Sequence, residues 1–484
     1  METQQETAQK STETHVSMEN FHAKHAITYL CGNFSVRQSP KQIIKILKPW
    51  IENHWFESSD NTNILPSLTP ITYNETEYTE LTNLFYPRFV NCMHPDKEHL
   101  QKNFYRDVKG YSLTFNKTVK IPFHNSFIKI RINQMDLHFF PNGIMIYVLK
   151  IQQDGLTYDA ITYINATLRT VARYVINRQG EDVITMGRDF LSILQPLLVI
   201  CNTNFANGSG HKIPLHDYSP QTVKKYGTLI ENGNKLKTFI IIQEDPHQAF
   251  PSGYTRENLL FDVATSCPIG ASTNPKNPFH PAPQYYDQLL QHNKLTYFQN
   301  WEGLALFDSF VVILNNPRNY QIESWHNEYF RFIYLHSLFV KNYLSQINKE
   351  FRKTNPSKHL TDRFLAFDKI YNYHKISFNF LPQAIYQKIR WGLEIDDELE
   401  QLHICLERDA AKQDKQREQR MNMILAFVAL LAIFSAIKDG SDWIVALGWL
   451  PPRGFIYNVM TLLWLACIII IPILLYIRHK RSSK

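Results

Sequence analysis

The chain of 484 residues is long enough for one large or two ordinary domains, and its formal net charge is +7. Much of this charge flanks apolar segments near the C-terminus, which favours attraction to lipid headgroups and disfavours direct nucleic-acid binding. The six cysteines are scattered without CxxC spacing. They predict reduced cytosolic thiols, with neither a structural zinc site nor a disulfide framework.

The N-terminal two-thirds predicts a mixed α/β body. Residues 1–20 are polar and predict a disordered tail, no signal peptide follows Met1, and residues 21–324 predict the cytosolic α/β domain. Ser39 and Pro40 indicate the start of a helix. Alternating residues and the turn signal Pro141-Asn142-Gly143 predict a β-hairpin. Further predicted elements are helices at 156–176 and 182–200, strands at 236–243 and 297–314, and a loop rich in Pro and Gly at 246–283.

One predicted helix carries a polar stripe. From Leu156 onward, Asn165, Arg169 and Arg173 recur at four-residue steps and share a helix face. Guanidinium groups fit phosphate oxygens, so the stripe predicts a nucleotide phosphate site, and the alternative is a solvated or salt-bridged helix face. Asp217 is a further candidate, for an ammonium group or a ribose hydroxyl. The chain contains none of the common phosphate-loop, dinucleotide, metalloprotease or serine-hydrolase motifs, so we expect no enzyme activity.

A helical stalk is predicted at residues 325–420. Its predicted helices span 325–353, 358–378 and a third segment that starts at Leu381. Gly392 is the one strong breaker in the third segment before Gly440. We therefore expect one helix of roughly 57 residues, about 85 Å long, that runs into the membrane.

Two uncharged apolar stretches, residues 421–437 and 455–477, predict two transmembrane helices. Both fall within the roughly 17 to 25 residues that a helix needs to cross a bilayer. Basic residues precede the first stretch and follow the second, where residues 478–484 form a basic cytoplasmic tail. The positive-inside bias then predicts a multi-pass protein of the cell inner membrane with both termini cytoplasmic. The alternative is a buried hairpin of a soluble domain.

The first predicted span carries a continuous stripe that covers about 80° of the helix. The stripe consists of Met421, Ile424, Val428, Ala432 and Ser435. Around the axis of an oligomer its apolar members would form a hydrophobic constriction that gates by dewetting, with Ser435 nearer the outside. Asp439 and Asp442 would form acidic rings at the pore mouth that favour cations. The alternative is a stripe that packs against neighbouring helices.

This arrangement resembles the CorA-type membrane transport proteins. The resemblance covers roughly residues 325–484 and includes Met421-Asn422-Met423 at the start of the first span and His479-Lys480-Arg481 near the end of the chain. It implies a homo-oligomer, a pentamer in that family, with Mg²⁺ as a candidate cation. The family's Gly-Met-Asn triplet at the outer end of the first span is absent, because the region reads Lys438-Asp439-Gly440-Ser441-Asp442-Trp443. Its absence counts against selective magnesium uptake.

Divergent CorA-type proteins associated with type III CRISPR systems also lack the triplet and have an enlarged cytosolic domain, and the chain resembles them in both respects. That resemblance implies antiviral defence and gating by a nucleotide second messenger, S-adenosylmethionine joined to AMP (SAM-AMP). The sequence thus predicts a CorA-like homo-oligomeric channel with membrane lipid, other copies of itself and a nucleotide as partners. The alternatives are a membrane-anchored binding or scaffold protein and a constitutive divalent-cation transporter.

Overall fold

The computed structural model describes residues 20–36, 39–54, 67–93, 108–171, 180–205, 235–353, 358–447, 458, 459 and 462. The chain divides into two compact units, residues 1–400 and 401–484. Strands of the first unit form a nine-stranded sheet. They are β1 (Ala23–Ser35), β2 (Ser67–Pro70), β3 (Lys109–Phe123), β4 (Ser126–Phe140), β5 (Ile144–Gln152), β6 (Lys237–Glu244), β7 (Lys294–Phe298), β8 (Trp301–Ala305) and β9 (Ser309–Leu314).

The sheet has the order β2-β3-β4-β5-β1-β6-β9-β8-β7. Strands β6 and β9 are parallel, whereas each of the other neighbouring pairs is antiparallel. The predicted hairpin is confirmed, since Phe140 pairs with Ile144 across the turn and Asn142 takes the left-handed conformation with a φ of 65°. The parallel pair brings the amino ends of β6 and β9 to one edge of the sheet and their carboxyl ends to the opposite edge.

Helices surround the sheet, and a π-helix (Trp325–Tyr334) lies between two of the α-helices. Such long π-helical stretches are rare and often occur at functional sites. The α-helices are α1 (Pro40–His54), α2 (Glu75–Leu84), α3 (Pro87–Met93), α4 (Tyr158–Arg169), α5 (Glu181–Phe205), α6 (Arg256–Thr265), α7 (Pro283–Asn293), α8 (Asn319–Ser324), α9 (Leu335–Lys353), α10 (Lys358–Tyr371), α11 (Phe380–Gly392) and α12 (Ile395–Ala446).

The central strands are buried on both faces. On β6, Ile240 and Ile242 belong to a core cluster that includes Tyr158 of α4 and Leu260 of α6. Phe239 points the opposite way and contacts the π-helix, with its ring 5.2 Å from that of Phe330. This alternation follows from the two-residue period of a strand, and it makes the first unit a three-layer α/β/α body.

The predicted unbroken helix from Leu381 to Gly440 is wrong. Helix α11 ends at Gly392, and α12 begins at Ile395 after Glu394, whose φ of 55° is left-handed. A Cβ at Gly392 would lie 2.7 Å from the carbonyl oxygen of Ala305, so the glycine lets the helix end approach β8 closely. Helix α12 continues past Gly440 to Ala446, so part of the predicted outer loop is helical.

Three other boundaries also differ from the predictions. The predicted loop at 246–283 contains α6, whose start is fixed by a capping box between Thr255 and Asn258. The helix predicted at 358–378 ends at Tyr371, and the helix predicted at 156–176 is described as α4, which ends at Arg169.

Helix α12 has 52 residues and is about 78 Å long. Its first 43 residues, Ile395–Ile437, contain a window apolar enough to cross a membrane, and none of that window is buried. Among the described residues this is the one helix that meets the length and composition of a span. The second predicted span, residues 455–477, lies outside the described residues except for 458, 459 and 462.

Candidate functional site

Three cationic side chains surround one carboxylate in the first unit, and we call Arg169, Lys235, Lys237 and Asp308 the Asp308 cluster. The Arg169 Nη2 atom lies 3.3 Å from Asp308 Oδ2, and Lys235 Nζ lies 3.4 Å from the same oxygen. Lys237 Nζ lies 3.0 Å from Asp308 Oδ1. Arg169 also donates to the Ser266 hydroxyl over 3.1 Å.

The fold positions these groups at one edge of the sheet. Lys237 opens β6, and Asp308 immediately precedes β9, so both lie at the amino ends of the parallel strand pair. Arg169 is the last residue of α4, a favourable place for a cation beside the carbonyl end of a helix. Thr157 caps the other end of α4 by accepting from the Ala160 N–H, which fixes where the helix begins.

The Asp308 cluster has three positive groups and one negative group. Burial opposes ionisation of Asp308, but Lys237, Arg169 and Lys235 outweigh it and hold the pKa of the carboxyl below its ordinary value. Arg169 and Lys237 are almost completely buried, whereas 41% of the Lys235 side chain is exposed. The cluster therefore carries excess positive charge and reaches the surface through Lys235, and such a charge favours an anion.

A line of contacts joins the Asp308 cluster to the first turn of α12. Lys237 Nζ lies 3.5 Å from the centre of the Phe307 ring, and Lys341 Nζ of α9 lies 4.7 Å from the same centre. Lys341 also forms an ion pair of 2.9 Å with Glu398. Cations over an aromatic face are attracted by its electron density, so Phe307 holds two lysines beside one ring.

In the structure, two residues of the predicted polar stripe, Asn165 and Arg169, have different surroundings. Arg169 is in the Asp308 cluster, but Asn165 is 1% exposed and its Oδ1 accepts from Gln153 Nε2 over 3.2 Å. Gln153 in turn accepts from the Thr28 hydroxyl, so Asn165 is part of a buried hydrogen-bond chain and does not belong to the Asp308 cluster. The other two predicted ligand residues, Arg173 and Asp217, lie outside the described residues.

Lys235, Lys237 and Asp308 were not among the residues selected from the sequence. The available signals were the alternation Lys235-Leu236-Lys237 at the start of a buried strand and the Asp308-Ser309 pair that divides two apolar runs. A charged residue at the end of a buried strand is positioned by that strand, which makes it a stronger candidate than a charged residue on an exposed loop.

The predicted pore stripe lies entirely on α12. Met421, Ile424 and Val428 are between half and three-fifths exposed. Ala432 and Ser435 are exposed as well.

Asp439 and Asp442, the two residues of the predicted pore mouth, are exposed on the same helix. Within the described part of the chain, no group of three His, Cys, Asp or Glu side chains is arranged to hold a metal ion. Comparison of the chain with protein-family models, curated proteins and solved structures finds no match.

Proposed function

We propose that the chain forms a homo-oligomeric membrane channel whose α/β body is regulated by an anionic ligand at the Asp308 cluster. The observation that carries the proposal is the form of α12, one helix that begins in the α/β body and continues as an exposed apolar segment. An exposed apolar helix of this length needs either lipid or other copies of itself around it.

The charged segment before the span supports this placement. Residues 407–420 are rich in charge of both signs, and the pairs Asp409–Lys412 and Asp414–Arg417 lie 4.0 and 3.8 Å apart. Exposed pairs of this kind contribute little to stability, so the segment is suited to water or to headgroups rather than to a protein core. The apolar segment follows immediately after Arg420.

In the proposed assembly, residues 421–437 and 455–477 both span the inner membrane and both termini are cytoplasmic. Several copies of α12 surround an axis, because two helices from one chain cannot enclose a path for ions. Met421, Ile424 and Val428 line the inner part of that path as a hydrophobic gate. The CorA resemblance implies that the assembly is a pentamer and that the conducted ion is a cation. The resemblance to the CRISPR-associated members implies that the ligand is a nucleotide such as SAM-AMP and that the channel acts in antiviral defence.

Regulation is proposed to act through the contacts between the Asp308 cluster and α12. An anion that binds Lys235 and Lys237 competes with Asp308 for them and changes the charge beside Phe307. Lys341 contacts the same ring and forms an ion pair with Glu398 of α12. The change in charge beside the ring would therefore alter the strength of this ion pair. A ligand shifts the channel only by its difference in affinity between the closed and open states.

The test is a flux measurement on full-length protein in liposomes, with inorganic pyrophosphate as the probe anion on the cytoplasmic side. We expect potassium flux to increase when pyrophosphate is added. Absence of flux with and without pyrophosphate, from correctly inserted protein, would favour the membrane-anchored scaffold. Equal flux in both conditions, carried by divalent cations, would instead favour a constitutive transporter.

A further inference from the structure

An open cavity lies at the carboxyl ends of β6 and β9, away from the Asp308 cluster. It is a cavity of about 240 Å³. Its lining includes Phe21, Tyr158, Glu244, Asp245, Phe250 and Arg256. The crevice outside the carboxyl ends of parallel strands is a common place for ligands in α/β sheets. The volume is below the roughly 300 to 1,000 Å³ of sites for drug-sized molecules, so the occupant is small.

Aromatic rings form one wall of the cavity. The Phe21 ring lies 4.5 Å from that of Tyr158 and 5.2 Å from that of Phe250, measured between ring centres. The Gln248 side chain also lines the cavity, and it accepts from the His22 N–H over 2.8 Å and donates to the Asn20 carbonyl, on either side of Phe21. The wall is therefore fixed before any ligand arrives.

Tyr158 supplies a hydroxyl group to the cavity. The residue as a whole is 1% exposed, and it belongs to the lining of the cavity. Burial, together with the charges of Glu244 and Asp245, raises the pKa of Tyr158, so the hydroxyl keeps its proton near neutral pH. The hydroxyl is therefore a neutral donor that a polar group of a small ligand in the cavity could engage.

The charged residues that line the cavity determine whether a positive or a negative ligand is favoured. Glu244 is neutralised by Arg256, whose Nε donates to Glu244 Oε1 over 2.7 Å and whose Nη2 donates to Oε2 over the same distance. Asp245 is half-buried and accepts from the His247 N–H, and no described cation pairs with it. One negative charge is thus left beside the aromatic wall.

We infer that this cavity binds a small organic ammonium ion. Asp245 supplies the counter-charge, the aromatic wall of Phe21 and Phe250 favours a cation beside it, and the Tyr158 hydroxyl bonds a polar group of the ligand. The inference goes beyond the proposed function, because this site and the Asp308 cluster lie at opposite ends of the same strand pair. Lys237 of the cluster and Glu244 of the cavity are the first and last residues of β6, which places them about 23 Å apart.

The test is calorimetric titration of full-length protein in detergent with choline and with ethanolamine. The matched control ligand is 3,3-dimethylbutan-1-ol, which has the shape of choline without its charge. We expect choline or ethanolamine to bind and the neutral alcohol to bind at least about tenfold more weakly. Equal affinity for choline and the neutral alcohol, or no binding of either amine, would overturn the inference.

Two variants locate the binding. Asp245→Asn keeps the oxygen that accepts from His247 and should weaken amine binding about tenfold, and Tyr158→Phe should weaken it about fivefold. Asp182→Asn is the control, because Asp182 is an exposed aspartate on α5, which packs against β3. Unchanged affinity in both site variants, with melting curves that show them folded, would also overturn the inference. Because these titrations measure ligand binding and not ion flux, their result is independent of channel activity.

Discussion

Arg169 and Asp308 are 139 positions apart in the chain, yet their side chains meet at 3.3 Å. The contact joins the end of α4 to the turn before β9, and Lys235 and Lys237 approach the same carboxylate from the start of β6. Three elements distant in sequence thus meet at one acidic side chain. Asp308 is the group that allows three cations to lie so close together.

Asp308→Asn should lower the free energy of unfolding by about 3 kcal/mol, because two nearly buried cations lose their counter-charge. The lowered pKa of Asp308 sets the pH range of this effect. Its stabilisation is present above the ordinary carboxyl pKa near 4 and is lost as the pH falls through the folded-state value. Urea unfolding at pH 7 and pH 3 checks this, and an equal difference between variant and wild type at both pH values would contradict it.

Lys235→Met should weaken pyrophosphate binding about tenfold and leave the fold intact, because Lys235 is the most exposed cation of the Asp308 cluster. Calorimetric titration at two salt concentrations measures the affinity and its ionic-strength dependence. The matched control is Lys276→Met, which removes an exposed lysine from the segment between α6 and α7. Similar pyrophosphate affinity in the two variants would show that the Asp308 cluster does not bind the anion.

Lys341→Met and Glu398→Gln test the contact between α9 and α12. Both residues lie in the α/β body, and the Lys341 ammonium is nearly buried. A double-mutant cycle should give a coupling energy of about 1 to 2 kcal/mol in urea unfolding. If the contact transmits the signal, either variant should also reduce the effect of pyrophosphate on flux. A coupling energy near zero would rule this ion pair out of the pathway.

His336→Phe tests the effect of a buried neutral histidine on acid stability. Burial, with a contribution from Arg390, lowers the pKa of His336 to about 3, and the Phe89 ring lies 5.0 Å away. Because the unfolded chain takes up this proton near pH 6.5, stability is present above that pH and is lost as the pH falls towards 3.

The variant should reduce the loss of unfolding free energy between pH 7 and pH 5 by about 2 kcal/mol. Phenylalanine preserves the ring packing, so urea unfolding at the two pH values isolates the titration. The same pH dependence in variant and wild type would assign the acid sensitivity to other groups, such as His138, whose pKa burial lowers to about 4.

Local patterns made part of the fold predictable. The alternation of Phe127 to Ile132 and the turn at 141–143 are short-range signals, and β4 and β5 form where they indicate. The break at Glu394 was not predictable in this way, because a glutamate seldom adopts positive φ and gives no local signal for it. Gly392 signals the break in the sequence. The reason that a glycine is needed there is its close approach to Ala305, which exists only in the folded structure.

The candidate site was less predictable than the fold. Arg169 was found from its helical spacing, but the same spacing also selected Asn165, which is buried with Gln153. A helical period shows which residues share a face and does not show what covers that face. Phe307 and Lys341 take part in the contacts to α12 through neighbours that are remote in sequence, so no local motif contains them.

Ile424→Asn and Leu430→Asn in full-length protein, reconstituted in liposomes, test most directly whether α12 lines a pore. Leu430 lies about 120° from Ile424 and about 160° from Val428 on the helix, and it faces lipid in the proposed assembly. A polar residue in a hydrophobic gate lets water enter. We predict that Ile424→Asn raises basal potassium flux at least about tenfold, whereas Leu430→Asn leaves basal flux unchanged. Equal flux from the two variants, at equal amounts of inserted protein, would contradict the channel.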